Sequence, residues 1–170
     1  PGHRYLSVIA HVSGENVQRL DEWKRAVVGG AVAPISTHVT VYLTELTESL
    51  LATVQSPQFR EALDTPRFEA RWGSVHSFRP VTEVEYLNLE AGKAEFEQIH
   101  QKLVELFGAG AASFPYVPHV TLGHGLSEEQ VANARKVFLP AEQRTFTVNH
   151  LHCYSYDGQD WEEITVLPLR

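Results

Sequence analysis

The sequence predicts an α+β fold of two lobes. Each lobe is a β-α-β unit, and a pseudo-twofold axis relates the duplicated units across a central cleft between two mainly antiparallel sheets. Three observations predict it. Short strand-like and helix-like stretches alternate through all 170 residues, with no low-complexity tract or Pro/Ser linker. Their order, β-α-β-α-β followed by β-α-β-α-β-β, reads as one unit used twice. A His-Val-Thr tripeptide opens an extended segment in each half, at His38–Thr40 and His119–Thr121, 81 residues apart. The length favours a single domain over residues 1–170 with a core of its own.

Each element has a local reason. Tyr5 to Val12 is dense in apolar residues and reads as a buried strand that Gly14 ends. Val17, Leu20, Trp23 and Val27 recur at helical spacing, with Gly29-Gly30 as the stop. Thr37 to Leu43 alternates and is rich in Val and Thr, the pattern of a strand. Leu46 to Leu63 reads as a helix interrupted at Pro57. Phe68 to Phe78 and Val84 to Leu89 are strands around Arg79-Pro80. Phe96, Ile99, Leu103 and Leu106 or Phe107 mark the clearest helix, which Gly108 and Gly110 close. Pro115 and Pro118 bracket a loop before the extended segment from His119. Ser127, with Gln130 three residues on, predicts a capping box and a helix to about Phe138. Phe146 to Tyr156 and Glu163 to Leu169, around Asp157-Gly158, predict a terminal hairpin.

Composition excludes several classes. Lys and Arg number 14 against 21 Asp and Glu, a net charge of −7, so no broad basic face coats long nucleic acid and DNA is not an expected partner. Cys153 is the one cysteine, which excludes an internal disulfide or a Cys-rich zinc site and predicts a reducing, cytoplasmic location. No run approaches the roughly 20 apolar residues of a membrane span. A Gly-x4-Gly-Lys-Ser/Thr loop and a Lys-x-Asp-Gly ligase motif are both absent.

The chemistry concentrates in the two tripeptides. Residues i and i+2 of a strand share a face, so His38 pairs with Thr40 and His119 with Thr121, while Val39 and Val120 point into the core. Nine histidines and eleven threonines give about 0.6 His-x-Thr matches by chance. The shared central Val, the apolar residues that follow and the equivalent places in the repeat single these two out. If the strands adjoin, two imidazoles and two hydroxyls converge. One neutral His takes a proton from the nucleophile, the other as imidazolium protonates a leaving oxygen, and the hydroxyls bind phosphate oxygens without a metal. Which His is acid and which base stays open. Tyr42 and Tyr116 adjoin the motifs, where their rings either stack on a base or pack in the core.

The segments Ser36-Thr37-His38-Val39-Thr40-Val41-Tyr42-Leu43 and Pro118-His119-Val120-Thr121-Leu122-Gly123-His124 resemble the signature of the two-histidine (2H) phosphoesterases, in particular the 2′-5′ RNA ligase and 2′,3′-cyclic nucleotide phosphodiesterase group. That signature is a pair of His-x-Thr/Ser motifs about 80 residues apart in a bilobal α+β fold. The resemblance implies His38 and His119 as the acid/base pair and Thr40 and Thr121 as the phosphate-binding residues. It implies hydrolysis of a 2′,3′-cyclic phosphate on a nucleotide or RNA terminus to a 2′-phosphate, with ATP-independent 2′-5′ ligation as the reverse reaction. No cofactor, metal or membrane is expected, and the chain is expected to be a monomer. Bacterial RNA-ligase-type members often carry Arg five residues after the second motif His; here that position is His124, a weaker and pH-dependent phosphate contact.

Two other classes stand beside this one. A non-catalytic nucleotide- or RNA-end-binding domain would use the same cleft. A metal-dependent hydrolase would draw on His38, His119, His150 and His152. His11-Val12-Ser13 also fits His-x-Thr/Ser but lacks a partner at the repeat spacing and is set aside as a motif, with a place near the cleft left open.

Overall fold

Alternating apolar and polar residues along most of the strands call for antiparallel pairing, and every pairing is antiparallel. The computed structural model describes residues 3–29, 35–112, 114–138 and 145–170. Among them run β1 (Tyr5–His11), α1 (Glu15–Trp23) continuing into a π-helical turn over Lys24–Val28, β2 (His38–Glu45), α2 (Glu48–Val54) and α3 (Pro57–Ala62). Then follow β3 (Phe68–Ser77), β4 (Val84–Ala91), α4 (Lys93–Phe107), β5 (His119–His124), α5 (Glu128–Val137), β6 (Thr145–Val148), β7 (His150–Tyr156) and β8 (Trp161–Pro168).

The strands form one eight-stranded sheet in the order β6-β3-β4-β5-β2-β1-β7-β8. This corrects the expectation of two separate sheets. Read outward from the centre, the halves are β2-β1-β7-β8 and β5-β4-β3-β6, and the innermost two strands of each are joined through a helix. The halves meet where Val39 pairs with Val120. Without that pairing, β2 and β5 would each be an open edge with unpaired backbone groups at a fully buried valine.

The expected strand from Phe146 to Tyr156 divides at Asn149 into β6, paired with β3, and β7, paired with β1. These strands stand first and seventh in the order although one residue separates them, so the sheet curls strongly. Leu169 N–H donates to the Asn149 carbonyl at 2.8 Å, and Arg67 N–H to the Arg170 carbonyl at 2.8 Å, tying the chain end across the curl.

The helices follow their local signals. Pro57 opens α3 behind Ser56, whose hydroxyl accepts from Phe59 N–H, so the interruption separates two helices. Ser127 and Gln130 form the expected capping box. Gly29 closes the π-helical turn at φ 78°; Gly30 lies outside the described residues. Phe96, Ile99 and Leu103 form the buried face of α4, and Leu20 and Trp23 that of α1. Among the described residues no helix is long and apolar enough to cross a membrane.

Candidate active site

The two valines at the centre of the sheet orient the site. Val39 and Val120 are fully buried, so the two-residue period turns His38, Thr40, His119 and Thr121 to the opposite face, where all four are half-buried. A register in which Val39 faces Val120 sets Thr40 across from His119 and His38 across from Thr121. The two histidines are then diagonal neighbours, about 7–8 Å apart at the backbone. That spacing suits a phosphate held between them.

Both motif strands are irregular at the same place. On β2 the pairing with β1 passes from Thr40 to Tyr42 and leaves Val41 as an extra residue. On β5 the pairing with β4 passes from Thr121 to Gly123 and leaves Leu122 extra. A bulge directly after each threonine bends its strand and re-aims the side chains beside it. Side chains hold the backbone around the first bulge: His100 Nδ1 donates to the Val41 carbonyl at 2.7 Å, and the Tyr116 hydroxyl to the Thr40 carbonyl at 2.9 Å.

The two imidazoles are held by the same device. His38 Nδ1 donates to the Ser36 carbonyl at 2.9 Å, and His119 Nδ1 to the Val117 carbonyl at 2.6 Å. A carbonyl only accepts, so the proton sits on Nδ1 and Nε2 is left to exchange protons. Burial lowers both pKa values below the usual 6.5, opposed by these hydrogen bonds. For His38 the positive charges of Lys24, His11 and His119 add to burial and bring it to about 4.

The surroundings of the two rings differ. Behind His38, Lys24 donates to the Thr37 hydroxyl at 3.1 Å, and that hydroxyl donates to Asp21. Burial lowers Lys24 to about 8 against the attraction of Asp21. His11, set aside on spacing, is the cross-strand partner of His38. Its Nδ1 lies 3.0 Å from the Ser36 hydroxyl and its Nε2 3.1 Å from the Tyr154 hydroxyl. The Trp161 ring stands 5.8 Å from His38. His119 lies against two rings, Phe78 at 5.0 Å and Tyr86 at 5.2 Å, which stack on each other at 4.0 Å.

The remaining predicted residues separate. Tyr42 is 2% exposed and its hydroxyl donates to the Gly108 carbonyl at 2.7 Å. Tyr116 is half-buried and stacks on His100 at 4.1 Å beside Thr40. His124 is exposed at the far end of β5, roughly 16 Å along the strand from His119. His152 pairs with Glu163 at 3.0 Å, and His150 is exposed. Among the described residues no three His, Cys, Asp or Glu side chains converge as metal ligands. Burial pushes the Cys153 thiol up to about 12, an inert core residue.

Sequence reasoning missed Lys24, Phe78, Tyr86 and Trp161, and set His11 aside as a motif. For His11 a signal existed, because a β1-β2 antiparallel pair puts the end of β1 opposite the start of β2. The others come from elements distant in sequence and carry no motif.

The chain is similar to known proteins in sequence and in fold. The sequence model of the 2′-5′ RNA ligase superfamily matches residues 12–160. A Geobacillus thermodenitrificans protein named "Putative phosphoesterase" is 27% identical over 132 residues, 76% of each chain. The crystal structure of E. coli LigT complexed with 3′-AMP shares the fold with a TM-score of 0.72, at 16% identity over 98% of each chain. That of TT0787 from Thermus thermophilus does so at 0.67, with 19% identity over 98% of each chain.

Proposed function

The chain belongs to the 2′-5′ RNA ligase superfamily of 2H phosphoesterases, and on that footing we propose that it is a metal-independent phosphodiesterase that opens the 2′,3′-cyclic phosphate of a nucleotide or RNA end to a 2′-phosphate. The observation that carries the reading is the Val39–Val120 register, with both motif imidazoles pinned at Nδ1 by a carbonyl two residues earlier.

We assign His38 as base and His119 as acid. Lys24 and His11 oppose a positive charge on His38, which favours the neutral ring. Phe78 and Tyr86 lie within cation–π range of His119 and favour its imidazolium. In the reaction, water attacks phosphorus and His38 Nε2 takes its proton as the new P–O bond forms. The P–O3′ bond breaks on the opposite side, and His119 Nε2 gives its proton to the departing 3′-oxygen. The Thr40 and Thr121 hydroxyls donate to the non-bridging oxygens as charge builds there. A ribose 5′-hydroxyl in place of water, by the same steps in the same direction, forms a P–O5′ bond as P–O3′ breaks and gives a 2′-5′ linkage without ATP.

Phosphorus NMR of 2′,3′-cyclic AMP incubated with the protein in EDTA tests this reading. The expected outcome is replacement of the cyclic signal by that of the 2′-monophosphate. Binding without any change in the cyclic signal would establish a non-catalytic nucleotide-binding domain instead, and a 3′-monophosphate would overturn the bond assignment.

A further inference from the structure

The peptide group that pins the base is itself pinned. The Ser36 carbonyl, which accepts from His38 Nδ1 at 2.9 Å, belongs to the same peptide unit as the Thr37 N–H. That N–H donates to Asp21 Oδ1 at 3.1 Å, and the Thr37 hydroxyl donates to the same oxygen. A carboxylate, a peptide and an imidazole therefore form one chain of hydrogen bonds. Thr37 is 1% exposed, so water does not screen the link where it passes that residue. The Thr37 carbonyl accepts from Val12 N–H at 3.0 Å, and Lys24, three residues on from Asp21 along the helical stretch, donates to the Thr37 hydroxyl at 3.1 Å.

The acid has the same pin without the backing. His119 Nδ1 donates to the Val117 carbonyl, but the next residue is Pro118, whose nitrogen carries no hydrogen. The difference matches what each ring does in the reaction. A base gains positive charge as it takes the proton, and an acid gives its charge away. Hydrogen bonds in a chain polarise one another, so a negative charge at the Thr37 N–H makes the Ser36 carbonyl a stronger acceptor. Lys24 from the π-helical turn, His11 from β1 and His119 from β5 oppose charge on His38, and the Ser36 hydrogen bond favours it.

We propose that Asp21 is a positioning residue for the base: through the Ser36–Thr37 peptide it fixes the His38 ring with Nε2 free for the nucleophile and stabilises the charge that the ring takes up. The inference rests on His38 acting as the base of the phosphodiesterase and deepens that reading.

The test measures kcat and KM for 2′,3′-cyclic AMP in wild type, Asp21→Asn, His38→Gln and the double variant. Asparagine keeps an oxygen that accepts from the Thr37 N–H and removes the charge. In Asp21→Asn, kcat is expected to fall about 10-fold with KM within about twofold of wild type. Added to His38→Gln, the same change should cost nothing further, because its effect passes through the ring. An unchanged kcat, a loss carried by KM, or an equal loss with and without His38 overturns the proposal and leaves the phosphodiesterase reading standing. Should Asp21→Asn unfold for want of a counter-charge to Lys24, the comparison runs between Lys24→Met and the Lys24→Met, Asp21→Asn double variant. The same step of about 10-fold in kcat is expected there, and its absence overturns the proposal. If the wild type does not turn over the nucleotide, the phosphodiesterase reading fails, and the link is read by nitrogen-15 NMR of the histidine rings at pH 7.5. Asp21→Asn should then move the His38 Nδ1–H resonance and leave that of His119 in place. Two resonances that stay still, or that move alike, overturn it.

Discussion

Replacing His38 by Gln removes a titrating ring and keeps a polar side chain that can donate to the Ser36 carbonyl. Burial, with Lys24, His11 and His119 adding to it, holds the His38 pKa at about 4 in the folded protein, against 6.5 for an unperturbed histidine. The unfolded chain therefore binds this proton first as the pH falls. The stability that the neutral ring contributes is fully present above pH 6.5 and is lost between 6.5 and 4. Linkage over that interval gives a loss of about 2 kcal/mol at pH 4.5 relative to pH 7.5, rising to about 3 kcal/mol below pH 4. His11 and His119 are also lowered and destabilise in the same direction, but they are common to both proteins. Urea unfolding of wild type and His38→Gln at pH 7.5 and 4.5 isolates the His38 share. The wild type should lose about 2 kcal/mol more than the variant on acidification. Parallel losses, within about 0.5 kcal/mol, would refute the electrostatic account of the site and with it the case for His38 as the base.

Further outcomes follow from the same contacts. Activity requires neutral His38 and protonated His119, so kcat/KM should fall below pH 4 on the acid side. It should also fall as His119, held below 6.5, loses its proton, so the peak lies on the acid side of neutrality; a maximum above pH 7.5 contradicts the assignment. Tyr116→Phe removes the 2.9 Å hydrogen bond to the Thr40 carbonyl and should cost about 1 kcal/mol in thermal unfolding. Ser127→Ala removes the capping box of α5 and should cost about 1 kcal/mol in urea unfolding with no change in KM, since the cap lies outside the cleft.

The fold was legible where the signal is local. Apolar density marked β1, the 3-4 spacing of Phe96, Ile99 and Leu103 marked α4, and Ser127 with Gln130 marked the start of α5. The division of Phe146–Tyr156 was not legible, because both pieces are extended and differ in the strand they pair with, β3 for one and β1 for the other. The joining of the halves into one sheet was hidden for a related reason: a single pair, Val39 with Val120, makes the junction. At the site, the motif residues were visible because a two-residue period fixes which side chains share a face. Lys24 was hidden by lying on a helical turn whose approach to Thr37 depends on how α1 packs. Trp161, Phe78 and Tyr86 were hidden because cross-strand neighbours are set by register. Nine histidines are visible in the sequence. The places of two of them, His11 across from His38 and His100 against the β2 bulge, needed the strand pairings.

The central claim is that two histidines on adjoining strands do the chemistry between them without a metal. It is tested most directly by kcat/KM for 2′,3′-cyclic AMP in EDTA, for wild type, His38→Ala and His119→Ala. The account predicts full wild-type turnover in the chelator and a loss of about 10²–10⁴-fold in each variant. Wild-type rates in either variant, or loss of wild-type turnover on adding EDTA, would contradict it.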